Sequence, residues 1–174
     1  DVQVPAENRL GAEGEGWKVT VSALANERSS IGEVTQMFSK LDELKELVRS
    51  TRVQGRPAAE DPAVRRQLAR FETKIAAMKY NGLRYLTKQI KGEPLSSETS
   101  VNKLHRASLE IEMDDFAVSL SGEAGLQLKG GENAVSGGSW SKSALNWPNV
   151  VIGGGTPNIQ RNIIAERILG LPKD

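Results

Sequence analysis

A glycine-rich turn followed by a helix start is the stretch of this sequence best suited to hold a ligand. Residues 153–155 are all glycine, Thr156 offers a capping hydroxyl, and Pro157 suits the first position of a helix. The first N–H groups of a helix have no intrahelical partner, and the helix dipole places partial positive charge there. A phosphate or another polar cofactor group can bind at such a terminus, although many similar turns serve only as caps.

The elements around this turn follow from helical spacing of apolar residues. The helix that starts at Pro157 is predicted to end near Leu169, with Gly170 as the residue after its C-cap, and to bury Ile159, Ile163 and Ile164. Three longer helices are predicted before it, over residues 17–49, from Pro62 to about Ile90 with Asp61 as N-cap, and from Ser97 or Ser100 to about Leu120. Their short connections predict an all-α, antiparallel four-helix bundle.

The remaining segments are predicted to be less regular. Residues 1–5 alternate apolar and polar side chains, which suggests a short edge strand ending at Pro5. Residues 121–147 are rich in Gly, Ser and Asn, so part of this segment is expected to be poorly ordered, with Trp140 and Trp147 packing on helices. The acidic residues of the third helix are expected to form a solvated face: Glu110, Glu112, Asp114 and Asp115.

Composition excludes several classes of function. The chain has 174 residues, the length of one domain, and its 23 Lys and Arg nearly balance its 22 Asp and Glu. No overall field therefore attracts nucleic acid or an anionic membrane. Without Cys and with a single His, disulfides and thiolate metal sites are impossible and a metal site is not expected. No apolar run approaches the ~20 residues of a membrane span and no signal peptide is evident, which favours the cytoplasm.

Two separated motifs resemble the flavin-dependent acyl-CoA dehydrogenases. The run GGTPNIQRNIIAERILGLP, residues 154–172, resembles the C-terminal signature of that family, and residues 4–17 resemble its passage from the middle β-domain into the first long helix of the C-terminal domain. The resemblance covers the whole chain, weakly from about Arg52 to Asn149, but less than half of the family's protein. Residues 1–16 then correspond to the end of the β-domain and a linker, and residues 17–174 to the C-terminal helical bundle. The start at Asp1 supports an excised or processed piece.

The resemblance also implies a reaction. In the family, FAD accepts a hydride from the β-carbon of an acyl-CoA while a glutamate removes the α-proton, which gives the trans-2-enoyl-CoA. Most members carry that glutamate directly before the Gly-Thr of the final motif, where this chain has Gly154, which cannot be a base. A minority carry it on the first long helix, immediately before an arginine. Glu27 is therefore the candidate base, and Arg28 the neighbour that shapes its pocket.

Cofactor contacts are implied less completely. Gly155, Thr156 and Asn158 match positions that approach the adenosine and phosphate portion of FAD. The family's Arg-Lys-Thr-Phe-Gly passage, which reaches a neighbouring subunit's flavin, is replaced here by residues 51–55, in which Arg52 is a candidate to substitute for the displaced arginine. A second cross-subunit passage, a Gln and a Gly-Gly-Asn-Gly loop, is replaced by Ser119 and residues 122–125.

Three functions remain open on these residues. The leading hypothesis is the C-terminal domain of an acyl-CoA dehydrogenase that works as a homo- or hetero-oligomer, with electron-transfer flavoprotein as the implied redox partner. The departures in the flavin passages motivate a second hypothesis, a non-catalytic, structural subunit of a heteromeric enzyme, and the presence of Glu27 argues against it. An acyl-CoA oxidase or related flavoenzyme would share the fold.

Overall fold

The computed structural model describes residues 1–27, 31–93 and 97–173, which contain seven α-helices, one pair of very short strands and several 3-10 turns. The helices are α1 Gly16–Glu27, α2 Ile31–Ser50, α3 Pro62–Ile90, α4 Thr99–Ser121, α5 Ser139–Leu145, α6 Trp147–Ile152 and α7 Pro157–Ile163, and the antiparallel strands are β1 Arg52–Val53 and β2 Arg56–Pro57. A π-helical turn, Ile164–Ile168, follows α7 directly. None of the described helices is long and apolar enough to cross a membrane.

Helices α2, α3 and α4 run alternately up and down. Lys45, near the end of α2, pairs with Glu72 in the first half of α3, and Lys88, near the end of α3, pairs with Glu98 at the start of α4. Helix α7 packs on α4 as a fourth, shorter member. The predicted all-α antiparallel four-helix bundle is confirmed.

The core is built from residues three and four apart on the three long helices. On α2 the buried stripe includes Leu41 and Leu44, and on α3 it includes Phe71 and Ile75. Such spacing places side chains on one face of a helix, where each fully buried one contributes about 1.5–3 kcal/mol. The other buried members of this cluster are Val34, Met37, Leu47, Met78, Leu109, Met113, Ala117 and Trp140.

The predicted first long helix corresponds to two described helices. Helix α1 ends at Glu27 and α2 begins at Ile31, and residues 28–30, with Arg28 among them, lie outside the described part of the chain. Most described side chains of helix α1 are exposed, including Trp17, whereas α2 buries its apolar stripe in the bundle. The amphipathic pattern from residue 34 onward therefore belongs to α2.

Two expectations for the irregular segments were wrong. Residues 1–5 form no strand: their side chains are exposed, and the strands found in the described chain, β1 and β2, pair only with each other. Residues 121–147 are folded, with 3-10 turns leading into α5. Trp140 is 4% exposed and belongs to the core as expected, but Trp147 is 52% exposed. Ser141 stabilises the segment because its buried hydroxyl donates to the Gln127 carbonyl at 2.8 Å.

The start of α3 offers a direct test of a predicted cap. Asp61 Oδ1 accepts hydrogen bonds from the N–H groups of Ala63 at 2.6 Å and Val64 at 3.4 Å. Losing an N-cap side chain costs about 1 kcal/mol, so Asp61→Ala should lower the melting temperature by about 2–4 °C. Asp61→Asn keeps the accepting oxygen and should melt within a degree or so of wild type. Equal melting of all three proteins by circular dichroism would show that the cap contributes nothing.

Candidate functional site

The glycine-rich turn has the backbone geometry that its sequence indicates. Gly154 and Gly155 have φ angles of 69° and 101°, in the left-handed region that glycine tolerates. Thr156 Oγ1 accepts from the Ile159 N–H at 3.4 Å and Pro157 is the first residue of α7, as predicted. The α-helix itself is short, but the π-helical turn extends it to Ile168, and Gly170 follows with a φ of 67°.

The buried face of α7 differs from the prediction. Ile159 is 51% exposed, while its neighbour Gln160 is completely buried. The Gln160 side chain donates to the carbonyls of Gly154 at 3.0 Å and Gly155 at 3.3 Å. Apolar spacing missed Gln160 because a polar residue was assumed to face solvent, whereas these bonds require it to lie under the turn.

A polar cleft adjoins the turn. It has a volume of about 300 Å³ and lies between the starts of α2 and α4, the end of α6 and the turn itself. On its α4 side, Lys103 is buried and donates to the Val150 carbonyl at 2.8 Å, which ties α4 to the last turn of α6. The cleft is lined by Glu33, Lys103, Arg106, Glu110, Asn146, Asn149, Val150, Gly153 and Gly154.

A chain of ion pairs links α2 to α4 beside this cleft. Lys40 Nζ lies 2.7 Å from Asp114 and 3.6 Å from Glu110. Arg106 lies 3.5 Å from Glu110 and also pairs with Glu33. The expected solvated acidic face was therefore wrong for Asp114, which is 3% exposed, and for Glu110, which is largely buried. The spacing of four between residues 106, 110 and 114 places all three on one helix face, and this signal was available in the sequence.

Burial raises the pKa of the Asp114 carboxyl above its ordinary 3.8. Desolvation is the largest cause and Glu110 adds to it, while bonding and attraction to Lys40 and a bond from Ser143 act in the opposite direction. On α4, burial is also the main reason that the pKa of the His105 imidazole is lowered, with a further contribution from nearby Lys74.

The raised pKa of Asp114 predicts a specific pH dependence of stability. The folded state holds this proton more tightly than the unfolded state, so the stabilisation from protonated Asp114 is complete below pH 3.8 and is lost as the pH rises through the raised value. The stability of wild type relative to Asp114→Asn should therefore be greatest at and below pH 3.8 and decline toward neutrality. Urea unfolding at several pH values measures it, with exposed Asp115→Asn as the control. A difference that grows with pH would contradict the prediction.

Comparison with known proteins identifies the family of this domain. Residues 14–169 match the sequence model described as "Acyl-CoA dehydrogenase, C-terminal domain". The chain belongs to the acyl-CoA dehydrogenase family. Among curated relatives, it is similar to acyl-CoA dehydrogenase IpdE1 of Mycobacterium tuberculosis, with 33% identity over 100% of the chain and 43% of that protein. The chain thus spans less than half the length of this relative.

Solved structures agree with the assigned family. Over 98% of its length the chain is similar to a chain of the ChsE4-ChsE5 complex from Mycobacterium tuberculosis, of which it covers 45%, with 26% identity and a TM-score of 0.80. Over 97% of its length the chain is also similar to butyryl-CoA dehydrogenase from Megasphaera elsdenii, of which it covers 43%, with a TM-score of 0.77. At 22% identity this likeness shows the fold alone. The resemblance to an acyl-CoA dehydrogenase C-terminal domain is confirmed.

The cofactor-binding residues that the family resemblance implies lie at two ends of this domain. Gly155, Thr156 and exposed Asn158 are together at the start of α7, where Asn158 Oδ1 accepts from Arg161 at 3.1 Å. Arg52 lies in β1, beyond the end of α2, and its Nε donates to the Gly55 carbonyl at 3.1 Å. At 1.5 Å per residue, the 17 residues from Glu33 in the cleft to Ser50 span about 25 Å. The structure therefore does not bring Arg52 to the glycine turn of its own chain.

The candidate base, Glu27, is close in sequence to Glu33, a residue that lines the cleft. Glu27 is the last residue of α1, six positions before Glu33, so the chain limits their Cα separation to about 20 Å. The structure does not describe the Glu27 side chain, and Arg28 lies outside the described residues. Their proposed roles are predictions from the family resemblance.

Proposed function

We propose that this chain is the C-terminal domain of a flavin-dependent acyl-CoA dehydrogenase that converts acyl-CoA to trans-2-enoyl-CoA. The observation that carries the proposal is the family match over residues 14–169, which includes the glycine turn at the start of α7. When bound, FAD would supply the hydride acceptor for the substrate β-carbon. The chain would contribute the base, part of the FAD site and part of the oligomer interface.

The residues of the turn fit a polar cofactor. Two glycines with positive φ leave the backbone open to close approach, and Asn158 presents an exposed amide beside them. Gly155, Thr156 and Asn158 would hold the adenosine and phosphate portion of FAD. Arg52, distant from this turn in its own chain, would reach the flavin of a neighbouring subunit, as the family passage implies.

Proton removal requires a carboxylate that the glycine turn itself does not provide. Gly154 occupies the place where most family members have the glutamate, so the proton would pass from the substrate α-carbon to Glu27. Arg28 would shape the pocket of this carboxylate. A glutamate acts as a base near neutral pH when burial raises its pKa and the substrate thioester carbonyl is polarised.

A structural subunit is the second candidate function. Its support is the replacement of the cross-subunit flavin passages by residues 51–55, Ser119 and residues 122–125, and the similar solved complex is formed by two proteins, ChsE4 and ChsE5. In that case the bundle would serve assembly and another chain would complete the flavin site. If the protein is instead a dehydrogenase, we expect electron-transfer flavoprotein to be its electron acceptor and the cytoplasm to be its location.

The deciding experiment measures flavin content and substrate-dependent bleaching in the full-length protein that carries this domain. A dehydrogenase should be yellow, and a straight-chain or branched acyl-CoA from a panel should bleach the flavin absorbance without oxygen. Rapid recovery of the colour on admitting oxygen would indicate an oxidase instead. A colourless protein that gains flavin only with a partner chain would support the structural subunit.

A further inference from the structure

We infer that Gln160 is a positioning residue that sets the flavin affinity of the glycine turn without touching the flavin. The inference rests on the proposed function, because it assumes that residues 155–158 contact FAD. It goes beyond the family resemblance, which assigns no role to this glutamine.

Gln160 is anchored under the turn by both donors of its amide. One N–H is directed to the Gly154 carbonyl and the other to the Gly155 carbonyl, at 3.0 and 3.3 Å from Nε2. The side chain is fully buried, and its Oε1 has no hydrogen-bond partner within the described part of the chain. A polar side chain is held in this position by the two bonds to the turn.

These bonds determine how the turn presents its backbone. In a trans peptide the C=O and the following N–H point in opposite directions. Since the Gly155 carbonyl points inward to Gln160, the N–H of Thr156 points outward, away from the buried amide. Because residues 153–155 are glycines, this turn has no side chains that could fix it by their own packing.

A second contact holds the other side of the same segment. Buried Lys103 donates to the Val150 carbonyl in the last turn of α6, just before the glycines. The segment is therefore fixed at its start by α4 and at its end by α7. Without the Gln160 donors, the end next to the proposed flavin contacts would be held less firmly while the start stayed in place, although the Gly155 N–H still donates to the Ile152 carbonyl at 3.1 Å.

The test is FAD titration of the apo form of the full-length protein, followed by quenching of flavin fluorescence. Gln160→Met keeps the length of the side chain but removes both N–H donors. The carbonyls of Gly154 and Gly155 must then turn to find new hydrogen-bond donors. We expect FAD to bind about tenfold more weakly, the equivalent of about one hydrogen bond of ordinary strength. If this variant fails to fold, Gln160→Asn, which keeps the amide but is too short to reach both carbonyls, should show the same direction of change.

The matched control is Ser141→Ala in α5, which also removes a buried donor that lies within reach of two backbone carbonyls, those of Gly125 and Gln127. It should lower the melting temperature but leave FAD affinity unchanged. If Gln160 had a merely structural role, its variants would behave in the same way as Ser141→Ala. Equal FAD affinity of wild type and both Gln160 variants, with weaker binding by Thr156→Val, would overturn this inference and leave the proposed function intact. Absence of FAD binding in wild type would overturn both.

Discussion

Replacing Lys40 with methionine should lower the free energy of unfolding at neutral pH by about 3 kcal/mol, or about 6–12 °C in melting temperature. Lys40 is the cation that pairs with both Asp114 and Glu110, and its Nζ also lies 5.9 Å from the centre of the Trp140 ring. Methionine fills a similar volume without the charge. Asp114 would then stay buried with only the Ser143 hydroxyl, at 2.8 Å, as its described hydrogen-bond partner.

Lys45→Met is the matched control, since it removes a lysine from the same helix. The partners of Lys45, Asp42 and Glu72, are mostly exposed, and exposed ion pairs contribute less than about 1 kcal/mol. Adding Asp114→Asn to Lys40→Met should recover much of the loss, because the uncompensated charge disappears. Lowering the pH should act in the same direction, because protonation neutralises Asp114. A Lys40 variant as stable as the Lys45 variant in urea would show that burial of Asp114 carries no such cost.

The bundle could be predicted from the sequence because its apolar stripes are long and regular. The caps of α3 and α7 were predicted as well, since Asp-Pro and Thr-Pro are local signals that depend on few distant contacts. The folded segment before Trp140 could not be predicted, because its order comes from tertiary contacts such as the bonds of Ser141 rather than from local propensity.

The site was harder to predict for a different reason. Gln160 is buried against the glycine turn, and Asp114 is buried against Lys40, which lies far away along the chain. A rule that assigns polar residues to solvent misplaces both. The spacing of Arg106, Glu110 and Asp114 indicates a shared face, but only the packing of α2 on α4 shows that Lys40 meets that face. Glu27 is the opposite case, because only the family resemblance, and no local pattern, distinguishes it from nearby glutamates such as Glu15 and Glu33.

Glu27→Gln should slow α-proton removal in the full-length protein by about 10³-fold while FAD remains bound, since a positioned general base contributes about 10²–10⁴-fold. Glutamine preserves the size of the side chain and removes its basicity, so binding and catalysis separate. Exchange of the substrate α-hydrogens in D₂O, followed by mass spectrometry, measures proton removal directly, and anaerobic bleaching measures hydride transfer. Both rates should fall together, because Glu27 would act before or during hydride transfer.

Glu15→Gln provides the control at the other end of α1. Glu15 precedes α1 and forms an exposed pair with Lys18 at 3.1 Å, so its loss should leave exchange and bleaching unchanged. Glu27→Asp keeps a carboxylate but withdraws it by one methylene, and should give rates between those of wild type and Glu27→Gln. Wild-type exchange in Glu27→Gln would place the base elsewhere. Since Gly154 cannot serve, the base would then have to come from another residue of this domain, from the rest of the protein or from a partner subunit.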